Sequence, residues 1–427
     1  MDKSHSGFVW DAVVLSISVT LLLAATAVAQ APTRITLDRA IDLALAHNHA
    51  LMATRTQVQQ SRAQEVTAAL RPNPVLSWDA LFIPIFSPQS FSVSNLLNTQ
   101  QFDLGVSYLY ERGGKRQRRI DAAKDTTAVT RYQVADAERN LIFNVAQEFI
   151  AAQLARSNLD FAQKDLDSFQ RTVEISEERY KAGDISEADL LKIRLQLLQF
   201  RTDVASARMA QIQALASLRQ LLGYDAVPAN FDVADDLTYQ PLTVNVDDLQ
   251  VLALKSRPDL MAAQQGIRAA QSQISLARAN GKMDLTTALS YSHLSDQNSL
   301  SVSFNIPLPL FDRNQGEIAR NRFALTQAQQ TANAASDTAL TDVRNNYETF
   351  ATNRQIVELY LSGYLKQAQD SRDISEYAYK RGAASLLDFL DAERSYRSTQ
   401  LSYRQSLANY LLSVEQLKQA VGVRNLP

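Results

Sequence analysis

Three carboxylates stand out by their positions. Asp388 and Asp391 are three residues apart, which puts them on one face of a helix, and Asp189 matches Asp388 in an internal repeat. Repeated around a symmetric assembly, such carboxylates form rings that attract cations and can set a constriction in a pore. Close to a helix N-terminus they would equally well only complement the dipole, and both readings stay open. A second charged feature is the run Glu111-Arg112-Gly113-Gly114-Lys115-Arg116-Gln117-Arg118-Arg119. Positive charge at the start of a helix opposes its dipole, so the run is either a solvated turn or has a partner. Lipid headgroups and the junction with the helical bundle are the two candidates. His47 and His49 form the one close histidine pair, and the chain has no Cys. A metal centre needs about three or four converging ligands, so no metal site is expected, and disulfides are excluded. No nucleophile elbow, phosphate loop, zincin helix or dinucleotide fingerprint occurs, so neither a cofactor nor an enzyme is expected.

The elements that must position these residues are duplicated. A constant offset of 199 residues aligns Tyr180 with Tyr379, Lys181 with Lys380, Gly183 with Gly382, Asp189 with Asp388 and Gly223 with Gly422. The repeat covers half of the chain beyond its leader, so it is a tandem duplication rather than a short-period solenoid. Lys115 to Ala182 contains neither Gly nor Pro, which as one helix would be about 100 Å long. Asp184 to Leu222 and Ala383 to Val421 are equally free of both. Gly183 and Gly382 therefore read as the caps where one long helix ends and its antiparallel partner begins. Val145, Ala152, Leu159, Leu166, Val173 and Tyr180 recur at seven, as do Leu190, Leu197, Val204 and Leu218 with one interruption at Gln211. Tyr396, Tyr403 and Tyr410 repeat the spacing, and such seams mean helices packed side by side.

Four stretches change period. Leu76, Trp78, Ala80 and Phe82 alternate with polar neighbours, as do Phe102, Leu104, Val106, Tyr108 and Tyr110. Leu285, Thr287, Leu289 and Tyr291, then Leu300, Val302, Phe304 and Ile306, repeat the pattern in the second half. Alternation over about nine residues makes a strand with one apolar and one polar face, the length of a tilted membrane strand. The alternatives are a small sheet packed on the helices and a membrane sheet with a watery lumen. Four strands cannot close a membrane barrel, since bacterial single-chain barrels begin at about eight. A membrane-spanning sheet would therefore be pooled from several chains; three copies would give about twelve strands, although the geometry does not fix the number.

Basic and acidic residues nearly cancel, 43 against 45, which with export argues against nucleic acid as a partner. Val13 to Ala25 followed by Ala27-Val28-Ala29 reads as a signal peptide over 1–29, sending the protein out of the cytoplasm. The expected organisation continues with a first repeat over 30–223, holding strands 75–84 and 102–110 and a hairpin tip near 183. A linker over 224–243 follows, then a second repeat over 244–427 with strands 284–292 and 299–307 and a tip near 382.

The turns YKAGDISEADLL and YKRGAASLLDFLDAE and the repeat endings LLG and AVG resemble the TolC family of outer-membrane efflux proteins. ERGGKRQRR and PLPLFDRNQGEIAR (307–320) resemble its branch of CzcC-like heavy-metal efflux channels. The resemblance implies a mainly α protein with a transmembrane β-barrel: a homotrimeric channel-tunnel whose twelve-stranded barrel sits in outer-membrane lipid. It continues as an α-helical barrel into the periplasm. The implied partners are a periplasmic adaptor (membrane fusion protein) and an inner-membrane RND-type transporter, and the implied role is passive export of metal cations or small toxic compounds. A type I protein-secretion conduit and an exported coiled-coil spacer are the alternatives. Carried over by motif, Asp189, Tyr379, Asp388 and Asp391 become gate candidates, and Gly183 and Gly382 the periplasmic tip turns. The family's type member has an Arg two residues after the second turn glycine; here that position is Ala384, so a gate salt bridge from it is not available. Many relatives also begin with a lipidated Cys, which this chain lacks.

Overall fold

The computed structural model describes residues 33–81, 92–94 and 101–426. The expected leader over 1–29 and the part of strand 75–84 from Phe82 onward lie outside the described residues. The first half runs β1 (Arg34–Ile35), α1 (Leu37–His47), α2 (His49–Ala69), β2 (Val75–Leu81), β3 (Gln101–Tyr110), α3 (Lys115–Lys181) and α4 (Glu187–Leu222). After β4 (Asp232–Val233) the second half gives α5 (Val246–Ser256), α6 (Pro258–Asn280), β5 (Leu285–Leu294), β6 (Gln297–Asn305) and α7 (Gln315–Leu359). A π turn (Tyr360–Tyr364), α8 (Leu365–Lys380) and α9 (Leu386–Val421) complete it. None of the described helices is long and apolar enough to cross a membrane.

The axis of the molecule is α3, a single helix of 67 residues. It packs against α4 toward the hairpin tip, and against α2 and α6 toward the sheet, while α9 lies against both α3 and α7. The helices stop at glycine as expected. Gly183 and Gly382 take left-handed φ of 83° and 76°, and the Asp184 N–H reaches the Arg179 carbonyl at 2.8 Å, as Ala383 reaches Ala378 at 2.9 Å. These bonds satisfy carbonyls that a helix end leaves orphaned. The returning helices begin three residues later than Asp184 and Ala383, because Ser186 and Ser385 are the residues whose side chains cap them. The duplication is imperfect upstream of the second tip. Where α3 is continuous, the second hairpin is interrupted by the π turn, inside which Gly363 adopts φ 135°.

The strands form one antiparallel sheet in the order β2-β3-β5-β6. Its register sets Trp78 beside Leu104, Leu104 beside Tyr291 and Tyr291 beside Leu300, while Ser77, Gly105, Ser290 and Ser301 align on the opposite face. The alternation read from the sequence is thus a sheet with one apolar and one small, polar face. The second pair is offset from expectation, spanning 285–294 and 297–305. Pro307 has no N–H to donate, which ends β6 before it. The apolar face is not covered: Trp78 and Phe304 are 68% and 67% exposed, and Leu300 and Val302 are also bare. A small sheet packed on its own helices is therefore not what the chain builds.

Two cores lie at the middle of the bundle. In one, Ile41, Leu43 and Ala44 of α1 pack with Val145 and Phe149 of α3 and Leu218 and Leu222 of α4. In the other, Leu249 and Ala253 of α5 pack with Phe350 of α7 and Tyr410 and Leu417 of α9. The linker over 224–243 supplies both. Phe231 and Val233 join the first core, and β4 pairs in parallel with β1. Tyr239 and Leu242 join the second, where the Tyr410 hydroxyl donates to the Gln240 carbonyl at 2.7 Å. Tyr410 is thus a packing residue anchored by a partly buried hydrogen bond.

Candidate functional site at the helical tips

The two hairpin tips share one core. Phe169, Val173, Leu190, Ile193 and Phe200 of the first hairpin pack with Tyr379, Leu386 and Phe389 of the second. Their rings form a column: Tyr379 stacks on Phe389 at 5.4 Å, Phe389 on Phe169 at 6.2 Å, and Phe169 on Phe200 at 4.3 Å. An arginine closes each end, with Arg179 5.2 Å above Tyr379 and Arg397 4.2 Å above Phe200. Cations over ring faces are held by the quadrupole, at about 0.5–2 kcal/mol each.

Tyr379 is the expected gate residue that this arrangement engages most fully. It is 3% exposed, and its hydroxyl lies 3.1 Å from Ser176 Oγ. Arg179 Nη1 donates to its carbonyl at 2.6 Å. Its repeat partner Tyr180 is 40% exposed, so equivalent positions carry different loads. Gly183 and Gly382 occupy the two turns, and a side chain added at Gly382 would meet Arg179 Nη2 at 3.4 Å. Asp388 is exposed, but its carboxylate accepts from the Ser385 backbone N–H at 3.2 Å and from Ser385 Oγ at 2.7 Å. This is a capping box, so the dipole reading of Asp388 describes its local role. Asp189 is half-buried and faces Lys192 Nζ at 3.4 Å. Asp391 is exposed one turn beyond the cap. The tips thus bring Tyr379 and the turn glycines together, while the three carboxylates sit around them at the helix starts.

Just behind the column lies a charged cluster that the sequence reading missed. Asp165 of α3 and Glu393 of α9 lie close enough for each carboxyl to influence the ionisation of the other. Arg397 Nε lies 2.6 Å from Asp165 and also meets Asp203 of α4. Arg372 of α8 lies 3.6 Å from Glu376 and 3.7 Å from Glu393, and Glu376 in turn accepts from Lys380 and from Thr172 of α3. Burial, reinforced by the nearby negative charge of Asp165, pushes the Glu393 carboxyl up to about 8. Burial also raises Asp165, against the pull of Arg397. Two carboxyls this close resist ionising together, and Arg372 and Arg397 lie beside them. A sequence signal existed. Asp165, Thr172, Ser176 and Arg179 follow a helical spacing on α3, and Arg372, Glu376 and Tyr379 do so on α8.

The basic run after β3 also finds its partners. Lys115 Nζ lies 2.7 Å from Asp284, and Arg119 pairs with Glu111. Arg116 and Arg119 donate to the Ala69 and Leu70 carbonyls at 2.6 and 3.2 Å. Those carbonyls end α2, so positive charge that opposes the α3 dipole complements the α2 terminus instead. His47 holds its own helix through the Leu43 carbonyl, and among the described residues no group of three or more His, Asp or Glu is placed to hold a metal.

Comparison with known proteins agrees with this architecture. The family model described as outer membrane efflux protein matches residues 40–224 and 249–423. The chain belongs to the outer membrane efflux protein family. It is 25% identical over 376 residues to the cobalt-zinc-cadmium resistance protein CzcC of Cupriavidus metallidurans, covering 86% of this chain and 85% of that one. To the cation efflux system protein CusC of Escherichia coli K12 it is 27% identical over 408 residues, covering 88% and 84%. A crystal structure of CusC superposes with a TM-score of 0.72 at 22% identity, covering 91% of this chain and 92% of that chain, which shows the same fold. The efflux protein is accordingly an outer-membrane component of the TolC-like channel type.

Proposed function

We propose that three copies of this efflux protein pool their sheets into a twelve-stranded barrel in the outer membrane and their helices into a periplasmic tunnel. The observation that carries this reading is the bare apolar face. Trp78, Leu104, Tyr291, Leu300, Val302 and Phe304 form a contiguous exposed apolar surface, the kind of surface that marks a membrane or partner contact. A four-stranded sheet in lipid leaves two edges whose unpaired groups cost several kcal/mol each, so neighbouring copies must pair them. A second unpartnered stripe supports lateral assembly of the helices: Leu191, Leu195, Leu198, Met209 and Ile212 are exposed along α4. The serine-rich face of the sheet then lines an aqueous lumen.

In this reading the protein is a passive conduit, joined at its tips by a periplasmic adaptor and an inner-membrane RND-type transporter that supplies the energy. The named relatives CzcC and CusC point to metal cations as the cargo. The test is conductance of purified protein in planar bilayers together with its mass in detergent. Discrete channels from a trimer support the proposal, whereas a freely soluble monomer silent in bilayers defeats it. Loss of zinc, cadmium or copper tolerance on deletion would support the cargo, and unchanged tolerance would count against it.

A further inference from the structure

We infer that the loop Leu308-Pro309-Leu310-Phe311 is a second lipid-binding surface, seated in the periplasmic headgroup layer of the outer membrane below the barrel. The inference rests on the membrane reading of the sheet and extends it to a segment outside the strands. Leu300, Val302 and Phe304 share the apolar face of β6, and Ile306 and Leu308 continue the same alternation past the last ladder pair, Thr286 with Asn305. The chain then turns, with the Leu310 N–H on the Leu308 carbonyl at 2.8 Å, and exposes Leu310 and Phe311 in succession. Phe311 is 91% exposed, more than any other large apolar side chain among the described residues.

Two observations favour lipid over a neighbouring copy as the occupant. Pro307 and Pro309 lack N–H donors, so this segment cannot prolong an intersubunit strand pairing begun by the β6 edge. Cations also lie at the same level: the cleft of ≈ 630 Å³ beside Leu308, Pro309 and Phe311 carries Lys115, Lys282 and Arg320 balanced by Asp284, Asp312 and Glu317, and Arg112 and Arg313 are exposed beyond it at the neighbouring strand-to-helix junctions. Tyr110, paired with Leu285 on the exposed apolar face, marks the end of the sheet just above them. An aromatic residue at the boundary followed by apolar and cationic groups is the order in which a bilayer passes from acyl chains to phosphates.

Absence of cysteine makes the test direct, because single cysteines can be placed and labelled without competition. Leu308→Cys, Phe311→Cys, Phe304→Cys and Ser303→Cys would each carry an environment-sensitive fluorophore. Each would be reconstituted in phosphatidylethanolamine–phosphatidylglycerol vesicles containing lipids with a nitroxide near the headgroup end of the acyl chain. The expected result is loss of fluorescence at positions 308 and 311 comparable with that at 304, and little loss at 303 on the lumen face. Quenching at 304 with none at 308 and 311 overturns the inference and leaves the barrel standing. Absence of quenching at 304 overturns the membrane reading itself. Crosslinking of unlabelled Phe311→Cys to a lysine of a neighbouring copy by a short thiol–amine reagent would assign the loop to a neighbouring subunit and also overturn it.

Discussion

Arg179 on the first hairpin holds Tyr379 on the second from two sides, donating to its carbonyl at 2.6 Å and covering its ring at 5.2 Å. The tyrosine is a gate candidate carried over from the family motif, but the group that restrains it comes from the other half of the chain. Ala384 leaves no cation two residues after the second turn glycine, and Arg179 reaches Tyr379 from across the tip instead.

Arg179→Ala should therefore loosen the contact between the tips without unfolding either hairpin. A hydrogen bond from a charged donor contributes about 1.5–3 kcal/mol, enough for roughly a tenfold change in a two-state occupancy. The expected outcome is a rise in open probability in planar bilayers, with Arg179→Lys intermediate. Unchanged gating would remove Arg179 from any latch.

The raised Glu393 carboxyl beside Asp165 predicts a pH dependence of stability. Glu393 is raised from 4.5 to about 8 in the folded state, so between those values the native protein binds more protons than the unfolded chain. Stability is then fully present at the acid end of that window and falls as pH rises through it. Thermal melting should drop between about pH 5 and about pH 8 and level off above that, and Glu393→Gln should flatten the drop. An equal slope in the variant would refute the assignment.

The acidic residues at the second tip should separate by role. Asp391→Ala should weaken block of the channel by multivalent cations several-fold, because its carboxylate has no part in the cap. Asp388→Ala should chiefly lower thermal stability, because its carboxylate completes the Ser385 capping box. Single-channel block and melting curves of both variants check this, and a reversed pattern would contradict it.

The two faces of the sheet make a paired prediction. Val302→Arg puts a charge on the exposed apolar face, where lipid contact would cost about 2–4 kcal/mol near the midplane. Assembly into membranes should fall sharply. Ser301→Arg, on the opposite face, should assemble normally and alter ion selectivity instead. Equal tolerance of both would argue against a lipid-facing side.

Much of the frame was legible because it rests on local rules. A helix as long as α3 shows itself by the lack of breakers, its end by Gly183, and each strand by alternation that the ladder then confirms in register. The tip chemistry was harder to read. Asp165, Asp203, Arg372 and Glu393 come from four helices, and each alone resembles a solvated charge on a coiled-coil flank. Tyr180 and Tyr379 are identical in the repeat yet differ in burial, because a duplicated sequence does not duplicate its surroundings. The two-residue pairing of β1 with β4 has no period to detect.

Gly363 divides the labour between the halves of the duplication. The ancestral hairpin persists once as an unbroken strut, α3, and once as an articulated limb, with α7 and α8 meeting at a glycine whose φ of 135° few other residues could adopt. On that side the path from tip to sheet turns at the glycine, whereas on the other α3 runs unbroken over 67 residues.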